Sequence, residues 1–217
     1  LKLKNKKIKV KKDNQEIINR SDWIFLAVTP DVGNNILKKL KFSKKKLIIS
    51  FISTINMTKL KKITGLKKNI VRAIPLPPIA LCKGPVPIYP SNKKVKNFFN
   101  KLGSTVEINN EKLSLNFWTT SAMMAPFYEL LLSLSNWLVK KGIKKNSAQK
   151  YISSLFLALS EDAFNHKTNL KKLVKNSQTP GGLNEQAVKD LRKAGFYNLL
   201  EKTSNKIMKR LNKSQSN

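Results

Sequence analysis

Residues 21–30 read SDWIFLAVTP, and the six-residue apolar run inside them decides the fold. Trp23-Ile24-Phe25-Leu26-Ala27-Val28 shows no polar alternation, so the strand it predicts is covered on both faces, as parallel sheets are. Thr29-Pro30-Asp31 breaks that strand and opens a helix. Upstream, Asp13 or Asn14 is placed to cap a helix over 15–19. Downstream, residues 47–52 form a second buried strand, Asn56 caps a helix through Ile63, and residues 70–74 return as a third strand. Strand and helix alternating at this spacing predict an α/β sheet with parallel strands. Pro75-Leu76-Pro77-Pro78 predicts an extended, non-helical segment. Residues 86–89 and 105–108 are two further strands around a helix that Ser91 caps and Gly103 stops. From Glu111 onward every periodic segment is helical. The chain therefore divides into an α/β domain, 1–108, and an all-α domain, 109–217.

The helical half is dominated by residues 119–165. Met123, Phe127, Leu130, Leu134 and Leu138 recur at three- and four-residue steps, the spacing of one helix face, and Leu131, Leu132 and Trp137 widen it. Gly142 ends this helix after Lys140 and Lys141, whose charges suit its carbonyl end. Asn146 or Ser147 caps a second helix carrying Ala148, Ile152, Leu155 and Leu159. Two such broad faces need a cover, from the rest of the subunit or from a second copy. Glu129, Asn136 and three serines interrupt the first helix, so no clean run of about 20 apolar residues survives and no membrane partner is expected. Further on, Ser177–Gly182 is the most glycine-dense spot, Asn184 caps a helix stopped by Gly195, and a last amphipathic helix ends in a frayed tail at 212–217.

The 217 residues carry a formal net charge of +31, with Lys and Arg totalling 43. Only Arg20, Arg72, Arg192 and Arg210 are arginines, although base reading and bidentate phosphate binding favour arginine. The lysines are spread over the whole chain beside many asparagines and isoleucines. That is the mark of A/T-rich codons, and no nucleic-acid partner is expected. The single cysteine, Cys82, excludes an internal disulfide framework and points to a reducing compartment. No apolar signal core follows the lysine-rich start, which predicts a cytoplasmic protein. There is no metal-ligand cluster. His166, the only histidine, reads as solvent-facing or helix-terminal, and no Ser-His-acid triad can be drawn.

Three pieces together resemble pyrroline-5-carboxylate reductase, the last enzyme of proline biosynthesis, over nearly the whole chain. SDWIFLAVTP is similar to that family's "aD-v-hhLAVKP". Val71-Arg72-Ala73-Ile74 followed by Pro78 is similar to "R-x-M-x-N-T-P". Thr179-Pro180-Gly181-Gly182 followed by Ala194-Gly195-Phe196 is similar to "S-P-G-G-T-T … G-G-F". The resemblance implies a Rossmann-type domain that binds NADPH or NADH, and a helical domain that interleaves with its twin in a homodimer or higher homo-oligomer. It places Asn14 against the cofactor's adenosine part and Ala27, Val28, Thr29 and Pro30 beside the nicotinamide. It places Met124, Ala125, Pro126, Thr179, Gly181 and Gly182 around a small carboxylate substrate. Asn184 stands where the family has a Thr able to hydrogen-bond the substrate's ring nitrogen, and is the candidate catalytic residue. Few acid/base groups are needed, because the cofactor carries the hydride chemistry.

Departures accompany the likeness. Ala122-Met123-Met124-Ala125-Pro126-Phe127 stands for the family's Ser-Gly-Ser-Gly-Pro-Ala, Leu76 for an Asn, and Thr29 for a Lys. The first glycine is Gly33, so the family's glycine-rich phosphate turn is not found. Matching residues 8–10 to the family's third strand leaves two strands and two helices upstream, and the sequence is expected to be a piece of a longer product. The expected function is an NAD(P)H-dependent reductase of a cyclic imine or similar small acid. The alternatives are a catalytically altered relative that binds nucleotide and dimerises, or a basic nucleic-acid-binding protein.

Overall fold

The computed structural model describes residues 8–165 and 169–216, so the expectation for His166 falls outside the described residues. The sheet-bearing part opens with α1 (Asn14–Arg20), and of the two candidate caps Asp13 does the work. Its carboxylate accepts the N–H groups of Gln15 and Glu16. Next come β1 (Trp23–Leu26), α2 (Pro30–Leu37), β2 (Leu47–Ser50), α3 (Met57–Thr64) and β3 (Ile70–Ala73). Asn56 caps α3 as expected, accepting from Lys59 N–H, and Gly65 closes it in the left-handed region. After these, β4 (Pro85–Tyr89), α4 (Lys93–Phe99) and β5 (Ser104–Glu107) complete one five-stranded sheet in the order β1-β2-β3-β4-β5.

The β1–β2, β2–β3 and β4–β5 pairs are parallel, while β3 and β4 run antiparallel. A parallel return needs a long crossover. The link between β3 and β4 offers only a 3-10 turn at Pro77–Leu81, so the chain reverses instead. The same turn corrects the expectation of a non-helical 75–78. Pro77 and Pro78 occupy the first positions of the turn, where a missing N–H leaves no bond unmade. Two smaller corrections follow from side-chain bonding. Asn92, not Ser91, caps α4, because its side chain reaches Val95 N–H while Ser91 donates to the Glu107 carboxylate. Residues 8–10 join no ladder, so β1 is an edge strand of the sheet.

Strand alternation sends two sets of side chains to opposite faces. Ile24, Leu26, Ile48 and Ile70 meet Ile18, Leu37 and Leu60 from α1, α2 and α3. Ile49, Val71 and Ile88 meet Val95 and Phe99 from α4. On that second face Phe98 lies 5.5 Å from Trp23 and 5.7 Å from Phe25, ring centre to ring centre. Each fully buried aliphatic side chain contributes about 1.5–3 kcal/mol.

A 3-10 turn at Glu111–Leu113 leads into α5 (Ser114–Ser121), then α6 (Met124–Lys140), α7 (Lys145–Asn165), α8 (Leu170–Asn176), α9 (Leu183–Lys193) and α10 (Phe196–Ser216). Packing divides the chain into two units. One runs through Thr119 and takes in the residues from Met208 on; the other is Thr120–Ile207. The helical unit turns at Gly142, φ +92°, with Ile143 N–H closing on Leu138 O. Helix α7 begins at Lys145, so Asn146 and Ser147 lie inside it rather than capping it. Helix α10 continues through Ser216 where a frayed tail was expected. Helices α6 and α7 pack together, Phe127 edge-on to Phe156 at 6.1 Å. Among the described residues only Ala148 and Ile152 are buried apolar side chains of this unit, while Phe127, Leu134, Trp137, Leu155 and Leu159 are exposed. No described helix is long and apolar enough to cross a membrane.

Candidate functional site

Cross-strand register sets Leu26, Ser50 and Arg72 side by side near the carboxyl ends of β1, β2 and β3. Beyond Leu26 the chain leaves the sheet, and Ala27, Val28 and Thr29 are exposed on this rim. Thr29 is the N-cap of α2 with extended backbone; its hydroxyl makes no cap bond, and its carbonyl accepts Gly33 N–H at 2.8 Å. Pro30 opens α2 as its first residue. Gly33 owes its place to packing. A Cβ there would sit 3.2 Å from both Ile52 Cδ1 and Val28 Cγ2, tighter than ordinary contacts. Asn14 is exposed on the first turn of α1, relieved of capping by Asp13.

The same rim holds a buried ion pair. Arg72 is 3% exposed. Its Nη1 lies 2.5 Å from Glu111 Oε1, its Nη2 donates to Ser53 O at 2.8 Å, and its guanidinium carbon is 4.4 Å from the centre of the Trp118 ring. Glu111 Oε1 also accepts Met57 N–H at 2.6 Å. Burial pushes the guanidinium below its ordinary pKa, and Glu111 opposes that shift. Arg72 Nε, Thr54 Oγ1, Ser114 Oγ, Trp118 Nε1 and Thr119 Oγ1 are buried without a protein hydrogen bond. The sequence reading quoted Arg72 only as part of a motif and missed Glu111. The available signal was an arginine inside an apolar strand, which requires a partner among few acids.

In the helical unit the segment 122–126 spans the break after α5 and the first turn of α6. Met123 N–H closes on Thr120 O at 3.0 Å, and Met123 precedes α6 without a side-chain cap bond. Met124, Ala125 and Pro126 make the first turn of α6, where a proline needs no N–H. Met123 and Met124 are half-buried, Ala125 and Pro126 exposed.

The glycine-dense loop is tied by its own bonds. Gly181 has φ +72°, and Gly182 N–H closes on Thr179 O at 2.8 Å; a Cβ on Gly182 would lie 3.0 Å from that oxygen. Gly181 N–H donates to Glu185 Oε2 at 2.8 Å. That bond, with Lys189 beside it, holds the Glu185 carboxyl below its usual range. Gly182, not Asn184, is the N-cap of α9. Asn184 lies one residue inside the helix and donates its amide to Ser177 O at 2.9 Å, so it braces the loop instead of capping. The structure thus gathers Thr179, Gly181, Gly182 and Asn184 in one turn and Ala27–Thr29 on one rim. No group of three or more His, Cys, Asp or Glu suited to a metal ion occurs among the described residues.

Residues 112–214 match the family described as "Pyrroline-5-carboxylate reductase dimerisation", and residues 1–54 match "NADP oxidoreductase coenzyme F420-dependent". The pyrroline-5-carboxylate reductase of Synechocystis is 27% identical over 206 residues, covering 89% of this chain and 75% of that protein. That of Aquifex aeolicus is 23% identical, covering 93% and 78%. In three dimensions the chain superposes on Plasmodium falciparum pyrroline carboxylate reductase, solved with NADP bound, with a TM-score of 0.80. Identity there is 23%, over 93% of this chain and 80% of that one. A parallel-dominated Rossmann-type sheet is thus followed by a helical module that matches the pyrroline-5-carboxylate reductase dimerisation family, and over most of its length the chain is similar to pyrroline-5-carboxylate reductases.

Proposed function

We propose that this chain is an NAD(P)H-dependent reductase of a small cyclic imine bearing a carboxylate, with pyrroline-5-carboxylate as the first candidate. One observation carries the reading. A rim of parallel strands, open at Ala27, Val28 and Thr29, occurs in the same chain as a helical module matching the reductase dimerisation family. The carboxyl end of parallel strands is where α/β sheets take ligands, and the exposed loop fits a dinucleotide there. Bound NADPH or NADH supplies the hydride. Ala27, Val28, Thr29 and Pro30 border the nicotinamide in this reading, and Asn14 lies toward the adenosine part. Residues 1–108 act as the nucleotide-binding domain and 109–217 as the substrate and dimerisation domain. The substrate carboxylate meets Met124, Ala125 and Pro126, and the turn of Thr179, Gly181 and Gly182 shapes the pocket. Asn184, through the carbonyl end of its amide, faces the ring nitrogen. Two copies associate through α6 and α7.

The test is oxidation of NADPH and NADH by the full-length protein, dependent on pyrroline-5-carboxylate. Nucleotide binding without turnover of any cyclic imine would favour the altered relative instead. The methionines bear on efficiency. Neither offers a hydroxyl donor, and one charge-assisted hydrogen bond is worth about 1.5–3 kcal/mol. Met124→Ser is therefore expected to raise kcat/KM for pyrroline-5-carboxylate about tenfold; an unchanged value would remove Met124 from the pocket.

A further inference from the structure

The third residue of the four-residue strand β3 is a charged side chain buried at the edge of an aliphatic layer. A guanidinium taken out of water is tolerated only where its charge and its donors are matched. Here the matching groups come from four separate places. Ser53 follows β2, Met57 opens α3, Glu111 lies in the connection after β5, and Trp118 belongs to α5. Glu111 stands 39 residues from Arg72 and 54 from Met57, yet one of its oxygens serves both. Its carboxylate also sits at the first amide of α3, where the helix end favours an anion. The row Leu26–Ser50–Arg72 puts the cluster on the rim from which Ala27–Thr29 emerge, two inter-strand steps or roughly 10 Å away. The chain continues from Arg72 directly into Ile74 and Leu76, the next segment of that rim.

We propose that Arg72, clasped by Glu111 and covered by Trp118, is a positioning residue for the reductase reaction. It joins the rim of β2 and β3 to the connection 111–119, so that the loop after β1 and the segment after β3 present one fixed surface to nucleotide and substrate. The proposal rests on the reductase reading above. Lysine in its place keeps the charge, but it cannot bond Ser53 and Glu111 together while lying flat on an indole. Glutamine for Glu111 keeps an acceptor for Met57 N–H and removes the countercharge.

Arg72→Lys and Glu111→Gln separate the clasp from mere folding. Both are compared with the unaltered full-length protein well below their melting temperatures, by amide hydrogen exchange, NADPH affinity and steady-state kinetics. Exchange is expected to quicken in 53–57 and 111–119 but not at Ile24 or Ile48. Because a small misplacement of reacting groups is costly, kcat should fall about tenfold or more while KM for the imine moves much less. Unchanged exchange in the two segments would overturn the proposal. So would faster exchange with kcat, KM and NADPH affinity all unaltered, which would leave the pair a structural brace. If the unaltered protein reduces no cyclic imine, the reductase reading fails by itself. The exchange and NADPH arms still decide for or against the clasp.

Discussion

Phe99 and Trp137 are both large aromatic residues on helices, and they meet opposite surroundings. Phe99 is 1% exposed, held by α4 against Ile49, Val71 and Val86. Trp137 is 57% exposed on α6, with Lys141 above its ring. The contrast extends to the units that contain them. In the sheet unit most apolar residues of the strands are buried under helices on both faces, although Phe25 and Phe98 at the β1 edge stay exposed. In the helical unit Leu134, Leu155 and Leu159 remain in contact with water although α6 and α7 already pack together. An apolar surface of that extent marks an interaction site. The match of 112–214 to a dimerisation family says what kind of partner covers it. One unit buries a continuous core within the chain, whereas the other leaves its helix faces open to a second copy.

Truncation in the closed core should produce the largest effect. Phe99→Ala is expected to cost about 3–5 kcal/mol of unfolding free energy, read from urea melts. A loss below about 1 kcal/mol would show that the α4 face is loosely packed. Next in size, Leu134→Asp places a charge on the exposed α6 face. It should weaken self-association by about 2–5 kcal/mol in analytical ultracentrifugation. Trp137→Ala should also weaken association, while moving the stability of the dissociated chain by only about 0.5 kcal/mol or less. A wild type that stays monomeric over a concentration series would break the comparison outright. Smaller again, Gly33→Ala forces a methyl against Ile52 and Val28 and should cost about 1–3 kcal/mol. A neutral result would mean that α2 can shift on the rim.

The smallest effects are electrostatic, and each unit supplies one. Lys96, then Ser91, hold the Glu107 carboxyl below its ordinary 4.5, and Gly181 N–H, then Lys189, do the same for Glu185. A carboxyl depressed in the folded state stabilises above its unfolded pKa, and that help is lost as pH falls through the lower folded value. Urea midpoints should therefore decline as pH drops below about 4.5. Glu107→Gln and Glu185→Gln should each flatten the decline slightly, and added salt should shrink the difference because both groups are near water. Midpoints independent of pH in that window would contradict both assignments.

What could be read in the chain beforehand was what neighbouring residues decide. The apolar run at 23–28 yielded β1, the proline after it yielded the start of α2, and Asn56 its helix. Errors arose where two local solutions compete. Ser91 and Asn92 can both cap α4, and prolines that forbid a helix interior still suit the opening of a 3-10 turn. The reversal of β4 was out of reach, and for Arg72 only the need of an acidic partner was legible, not that Glu111, 39 residues away, supplies it, because no periodicity encodes such pairings. The candidate site was legible as positions, namely a strand end and a glycine turn. Its chemistry was not, because backbone groups and a borne cofactor leave little trace in side-chain identity.

The three tryptophans fall one to each zone of the molecule, which makes its own ultraviolet emission a map. Trp23 lies among the rings of the sheet face, Trp118 is buried beneath a guanidinium, and Trp137 looks into water. Their emission colours should differ accordingly, the third the reddest. Loosening of the rim would then register in Trp118, melting of the sheet in Trp23, and the meeting of two copies as a blue shift of Trp137. Single-tryptophan variants would turn one chain into three local gauges without any attached dye.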